Sequence, residues 1–589
     1  MMNIDFKKGA KQFALFFILA IVVVWSASAK ELNDSRSKKY PAAVVYELVN
    51  GAANSECLDA SEVEAAIDLA LDQQDNVHDP VELFSLPGIV RLIYRLKECR
   101  PEAIDDLLGK IFSKPSDYLA HGTANHALIR STSWYLLLQL MPEQKRIKIT
   151  GAAEKSVQEV KKELLSKLKI KINGELRQLN PEITSTTYAL LNFIPLLNLY
   201  DLALDVELKQ LADKLLNVQY GVLRVNSLAG VILPPITRRN TDQRYKSERF
   251  GGYTPAASQQ ILYYYSIDAP LLSKFDLNGG RIPPFHSIMK VSRWRPNEKI
   301  NELTDSRSKI GYSTKINIPR FSFWGALAQV YVSGGVDVTR SFGVGYGNAS
   351  FEPSGYSNHM QTFSIAHRVD AEFNQIECVH PYFDRGAELK FGPGQWSPFV
   401  QNFRLGFGEV LLIGDIPKID PYHNSKVNRF QAERTQYGDR VEQAFYCRVP
   451  KLGFEYVLTD EGYLSIKSSS AETLMAPLVS RFEFYFDTLD YNVFRIRSPN
   501  IAILSKTQKL GALYIGSALS KYRYEKGAVY WMSGKKSSKV EFGRLFESED
   551  GWVHSYPALN GVSTWSAAKK DVAFVSDVFD LSVGEMKLK

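Results

Sequence analysis

The chain runs to 589 residues with 45% hydrophobic and 23% charged side chains, an ordinary globular balance that excludes a disordered polypeptide. That length exceeds what one hydrophobic core usually serves, so two or three domains are expected. A net charge of +7 is mild, and no cluster of Lys and Arg forms a nucleic-acid footprint; the small excess favours an anionic ligand drawn into a cleft.

The N-terminus carries Lys7, Lys8 and Lys11, then an apolar run from Phe13 to Trp25, then Ala27-Ser28-Ala29 before Lys30 and Glu31. A basic start, a short apolar segment and an A-x-A site read as a cleavable signal peptide over residues 1–29, with an uncleaved membrane anchor as the rival reading, so the mature protein is expected to be periplasmic or secreted. The apolar run falls short of the roughly 20 residues that span a bilayer. No later segment reaches that length without charges, so no membrane span is expected after cleavage.

From about residue 40 to 255 apolar residues recur at helical spacing. The expected helices cover Glu62 to Leu71, Val90 to Leu96, Ile104 to Ile111, Ala127 to Leu140, Val157 to Leu168, Tyr188 to Leu204 and Val206 to Leu223. Asp205 stands where an N-cap belongs, and Pro101-Glu102 suits a first helical turn. The basic run Lys155 to Lys169 interleaves with Val, Leu and Ile at helical spacing, which reads as a solvated helix face. Residues 256–279 connect to a stretch of different character, 280–589. There the pattern becomes alternation and aromatic or β-branched runs broken by Gly, Asn and Pro, as in Ala328 to Val332, Phe482 to Phe486 and Val493 to Arg497. Helices first and strands afterwards predict an α+β multidomain chain with an antiparallel sheet domain.

Four cysteines in an exported chain permit three connectivities. The pairing Cys57–Cys99 and Cys378–Cys447 keeps each bridge within one domain and is the one expected.

Signatures for zinc proteases, Walker-type nucleotide loops, Rossmann glycine loops and serine-hydrolase elbows are missing. Gly343, Gly345 and Gly347 alternate beside aromatics in strand-like territory, unlike a phosphate loop. Three spots in the helical half stand out. Gly122-Thr123-Ala124-Asn125-His126 opens an apolar helix; Glu182-Ile183-Thr184-Ser185-Thr186-Thr187-Tyr188 opens another; and Gly230 leads through Pro234-Pro235 to Arg238-Arg239, with Arg244 and Tyr245 beyond. Each alone is an ordinary capping region or a loop with solvated arginines.

Taken in order, Asn-His at a helix start, E-x-x-S-x-x-Y at a later one, Leu199-Tyr200-Asp201 and the Gly-to-Arg loop resemble the heparinase II/III-like polysaccharide lyases. The resemblance covers roughly residues 85 to 250 by motif. Two positions depart from it: Ala124 stands where many such lyases have a second Asn, and Thr186 where they often have Pro. The resemblance implies an incomplete α/α toroid over 40–255 followed by a β-sandwich over 280–589. It implies β-elimination on an anionic, uronate-containing polysaccharide, with no organic cofactor required and a metal ion in the sandwich left open. The proton removed lies α to a carboxylate, so its loss builds a second negative charge that hydrogen-bond donors must stabilise. Asn125, a protonated His126 and Arg238 are suited to that task. Tyr188 matches the family's tyrosine base, and His126 is the competing base. Glu182, Arg239, Tyr245 and the sandwich's Asn358-His359 are the remaining substrate-binding candidates, with His286 beside Pro283-Pro284 as another histidine of interest and His367 and His423 behind it. Two other readings stay open: a non-catalytic carbohydrate-binding or envelope protein on the same fold, and a glycoside hydrolase, for which no persuasive acid pair is evident.

Overall fold

The computed structural model describes residues 41–52, 57–72, 81–118, 124–177, 180, 182–228, 230–236, 258–266, 285–309, 311–322, 329–349, 361–369, 372–380, 397, 400–417, 444–451, 453–460, 462–477, 481–487, 491–497, 508–516, 521–525, 528–533, 536–541, 574–576, 579–582 and 585–588. The expected signal, 1–29, lies outside these residues.

The apolar periodicity becomes α1 (Pro41–Ala52), α2 (Ala60–Asp72), α3 (Leu86–Cys99), α4 (Ile104–Ile111), α5 (Ala124–Leu138), α6 (Val157–Arg177), α7 (Tyr188–Leu202) and α8 (Val206–Val225). Asp205 caps α8, its carboxylate accepting from Leu208 N at 2.7 Å. Helix α7 is mostly apolar and buried on nearly every side, as a central helix must be, with Asn192, Asn198 and Asp201 as its buried polar residues. The basic run enters and follows α6: Lys155, just ahead of the helix, pairs with Glu163, while Lys161 pairs with Glu143 and Lys169 with Asp205 and Glu207.

Side-chain ties set how these helices run. Phe84, just ahead of α3, meets His126 in the first turn of α5, while Tyr94 Oη donates to Leu136 O at 2.9 Å. Both pairs are separated by the same interval in sequence, so α3 and α5 are parallel and level. Arg91 reaches Asn198 and Asp201, and Asn198 donates to Pro87 O, so α7 is parallel to α3 as well. Gln139, just past α5, donates to Leu202 O and accepts from Leu204 N, which brings the ends of α5 and α7 together. Both helices are 15 residues long, so their starts are level too. Helix α6 turns back from α5, with Val157 N on Lys145 O, and α8 turns back from α7 after three residues.

Beyond the helical pairs, α9 (Gln259–Tyr265), α10 (His286–Val291) and α11 (Glu298–Ser308) still pack on helices. The strands therefore begin at Tyr312 and not at 280. The physical reason lies in Phe285, Ile288 and Met289, which recur at helical spacing and are buried. Trp294 then packs on Phe193 and donates to Asp213 at 2.9 Å.

The strands are β1 (Tyr312–Ser322), β2 (Gln329–Val338), β3 (Phe342–Ala349), β4 (Phe363–Val369), β5 (Glu372–Val379), β6 (Val400–Gly406), β7 (Glu409–Pro417), β8 (Ala444–Pro450), β9 (Glu455–Leu458), β10 (Leu464–Lys467), β11 (Glu472–Pro477), β12 (Phe482–Asp487), β13 (Tyr491–Arg497) and β14 (Gln508–Gly516). One sheet runs β12-β13-β8-β5-β4-β3-β2-β1 and continues through short strands at 574–576, 579–582 and 585–588. The other runs β6-β7-β14-β11-β10-β9, and strands at 521–525, 528–533 and 536–541 form a small sheet of their own. Neighbours in the two large sheets pair antiparallel. His367 on β4 reaches across to Ser468 Oγ (3.0 Å) and Thr473 Oγ1 (2.7 Å), so the sheets face each other over a shared interior.

Disulfides join Cys57 to Cys99 and Cys378 to Cys447, the latter directly across β5 and β8. Among the described residues no helix is long and apolar enough to cross a membrane.

Candidate functional site

The level starts of α5 and α7 put Asn125, His126 and Tyr188 at one end of the helical part. Asn125 is fully buried, and its Oδ1 accepts from His126 N at 2.8 Å. His126 is half-buried, with Phe84 edge-on at 5.5 Å between ring centroids. Tyr188 is half-buried at the first position of α7.

The E-x-x-S-x-x-Y spacing has a local explanation. Ser185 N donates to Glu182 O at 2.9 Å, and Ser185 Oγ receives Thr187 N (3.3 Å) and Tyr188 N (3.0 Å). Each interval of three residues closes one turn, and the serine satisfies backbone donors that the start of α7 leaves open. Glu182 itself is buried, with its backbone N bonded to Asn180 Oδ1. Asn192 Nδ2 bonds Tyr188 O at 3.0 Å, one turn into the helix. Thr186, where the lyase pattern often has Pro, receives Ser258 N at 2.9 Å on its carbonyl, and Ser258 Oγ accepts from Leu190 N. The segment before α9 is thus laced to the start of α7.

The strand domain meets the helices at this same end. Because α8 runs back along α7, its C-terminus lies where α7 begins. There Tyr312 Oη donates to Val225 O (3.1 Å), and Thr314 Oγ1 bonds Asn226 Oδ1 (2.9 Å). A two-residue hairpin, Ser227–Leu228 with Val231–Ile232, leads to the cis peptide Pro234-Pro235 and then to Ile236, which pairs both ways with Gln361 (2.9 and 3.0 Å). Arg238, Arg239, Tyr245, Asn358 and His359 lie outside the described residues, as does His423. The paired Ile236 and Gln361 are two residues from Arg238 and from His359 respectively.

Two other histidines, outside these motifs, are buried. His286 belongs to α10 against the helices and not to the strand domain, and burial pulls its imidazole down to about 4. His367 is locked between the sheets, and burial brings it to about 4 as well.

Residues at this end that motif reading passed over are Glu82, Phe84 and Arg130. The Glu82 carboxylate accepts from Phe84 N (3.0 Å), Ser85 N (2.8 Å) and Ser85 Oγ (2.6 Å), fixing the turn that presents Phe84 to His126. Burial first, and then the Glu82 charge, push the Tyr46 phenol well above its ordinary range. Arg130 is buried one turn past His126, on the same face of α5. The helix-start signal here was Ser85 ahead of Leu86-Pro87, and it does not by itself single out Glu82.

No protein-family profile matches the chain, and no curated protein matches it. Among solved structures, a heparan sulfate lyase HepC mutant from Pedobacter heparinus is similar over 82% of this chain and 79% of its own, at 10% identity and a TM-score of 0.35. A chondroitin AC lyase from Streptomyces coelicolor A3, in complex with chondroitin sulphate, is similar over 85% of this chain and 80% of its own, at 9% identity and a TM-score of 0.37. Both are polysaccharide lyases.

Proposed function

We propose that the chain is an exported polysaccharide lyase that cleaves a uronate-containing chain by β-elimination, on helical pairs that belong to an incomplete α/α toroid. The observation that carries the reading is the register of the parallel helices, which sets Asn125, His126 and Tyr188 level at the end where the strand domain seats. The starts of α5 and α7 share that end, so the positive ends of their dipoles favour an anionic ligand there.

In the reaction Tyr188, as phenolate, takes the C5 proton of the uronate. The electron pair of that C–H bond forms the C4–C5 double bond, and the C4–oxygen bond breaks. The leaving oxygen then recovers the proton from the same phenol. The Asn125 amide, protonated His126 and Arg238 stabilise the charge that grows on the carboxylate. A phenol near its ordinary pKa of ~10 serves as a base once nearby cations depress it.

The test offers purified mature protein alginate, glucuronan, heparan and chondroitin-type chains. Rising ultraviolet absorbance from the conjugated unsaturated uronate is the expected result. New reducing ends without that absorbance would mean hydrolysis, and binding without either product would mean a non-catalytic protein. Tyr188→Phe keeps the ring and removes the proton carrier, so elimination should fall about 10²–10⁴-fold. A mutant with full elimination activity would exclude Tyr188 and leave His126 as the base.

A further inference from the structure

Strand β3 carries Gly343, Gly345 and Gly347 at every second position, so all three open onto one face of the sheet. The chain leaving the helices lies on that face at backbone contact. A methyl group at Gly345 would stand 2.5 Å from Pro234 N, 2.6 Å from Pro234 Cδ and 2.7 Å from Pro234 O. Those are backbone and ring atoms that cannot swing aside. At Gly343 the one atom under 3 Å is Leu233 Cδ1 at 2.8 Å, the end of a side chain that can turn away, with Leu228 Cβ at 3.3 Å beyond it. From its other side the hairpin is held by Tyr263, whose Cε1 lies 2.3 Å from where a methyl at Gly230 would stand. Gly230 has φ +83°, a conformation glycine adopts without strain.

Two residues past Pro234, Ile236 exchanges both backbone bonds with Gln361. Gln361 is fully buried, and its amide donates to Glu377 at 2.9 Å. Glu377 is in turn paired with buried Arg448. A polar chain in the sheet interior therefore fixes the strand edge that receives the helical part.

We propose that Gly345 is a positioning residue, which sets the distance between the strand domain and the helix ends bearing Asn125, His126 and Tyr188. Restoring ordinary contact, 3.4 Å or more, around an added methyl at 2.5 Å requires a displacement of about 1 Å. A misplacement of about 1 Å in supporting structure can cost about 10²-fold in rate. The consequence for catalysis rests on the lyase reading; the seat itself does not.

The experiment compares wild type, Gly345→Ala and the control Gly109→Ala, whose new methyl would meet nothing within 4 Å. Hydrogen exchange by mass spectrometry follows peptides containing Ile236 and Gln361. In Gly345→Ala their exchange should quicken about tenfold, the size of one hydrogen bond's net contribution, while α7 peptides stay protected. On a uronate chain its kcat should fall about 10²-fold with a smaller change in KM. Unchanged exchange in folded Gly345→Ala overturns the seat. Quickened exchange with wild-type kcat overturns the positioning role and leaves the lyase reading standing. If wild type eliminates nothing, the lyase reading fails and the exchange arm alone decides the seat. Where Gly345→Ala does not fold, Gly343→Ala carries the same comparison with a smaller expected rise, and no rise overturns the seat.

Discussion

Acid should weaken the strand domain through His367, and the amount can be worked from the structure. The ring lies between the two sheets, bonded to Ser468 and Thr473 and packed on Phe342 and Phe454. Burial lowers its pKa to about 4, against an ordinary value near 6.5 in the unfolded chain. Between those values the unfolded state binds more protons than the folded one, so stability rises with pH. The contribution is whole above the unfolded value and is lost as pH falls toward the folded one. At about pH 4.5 the loss from this group amounts to about 2.5 kcal/mol relative to neutral pH. His286, lowered by burial to about 4, adds a loss of the same sign. In His367→Gln the amide can still bond a hydroxyl but does not titrate. Urea unfolding of wild type and variant at about pH 7 and about pH 4.5 measures the difference. The variant should lose about 2.5 kcal/mol less on acidification, whatever its starting stability. Equal losses in both proteins would refute the reasoning, because His367 would then titrate alike folded and unfolded.

Four further outcomes follow from named contacts. Gln139→Leu removes the bonds to Tyr94, Leu202 and Leu204 that tie the end of α5 to α3 and to the end of α7, and should cost about 1–3 kcal/mol in denaturant unfolding. Mass spectrometry of unreduced protein should link Cys57 to Cys99 and Cys378 to Cys447. Cys57→Ser with Cys99→Ser, which opens a loop of 42 residues, should destabilise by about 4 kcal/mol. Asp205→Ala removes the carboxylate that holds Leu208 N and should cost about 1 kcal/mol, read as a lower melting temperature.

The helices were legible because their signals are local. Spacing of apolar residues and one cap at Asp205 are enough to place α8, and the segment 104–111 coincides with its helix. The boundary near 280 was not legible. Phe285, Ile288 and Met289 lie in a run too short to separate helix from strand by period, and only burial against α1 decides it. Strands such as β12 and β13 could be read from alternation, but their neighbours could not. Cys378 faces Cys447 because β5 pairs with β8 across a long interval of chain, and that is a tertiary choice.

The candidate site was legible in its residues and opaque in its supports. Asn125, His126 and Tyr188 stood out as motifs, yet nothing local says that α5 and α7 are parallel; that depends on Gln139, Tyr94 and Arg91 reaching across helices. Glu82 and Phe84 escaped notice because each acts through a neighbour, the carboxylate on a turn and the ring on His126. The glycines of β3 show the same limit from the other side. Their alternation marks a strand in the sequence, but a missing side chain carries no sign of what occupies its place. Only Pro234, packed where a Gly345 methyl would stand, explains why that face is bare. Residues that make contacts can be nominated from their chemistry, whereas residues that permit contacts are recognised when the second surface is present.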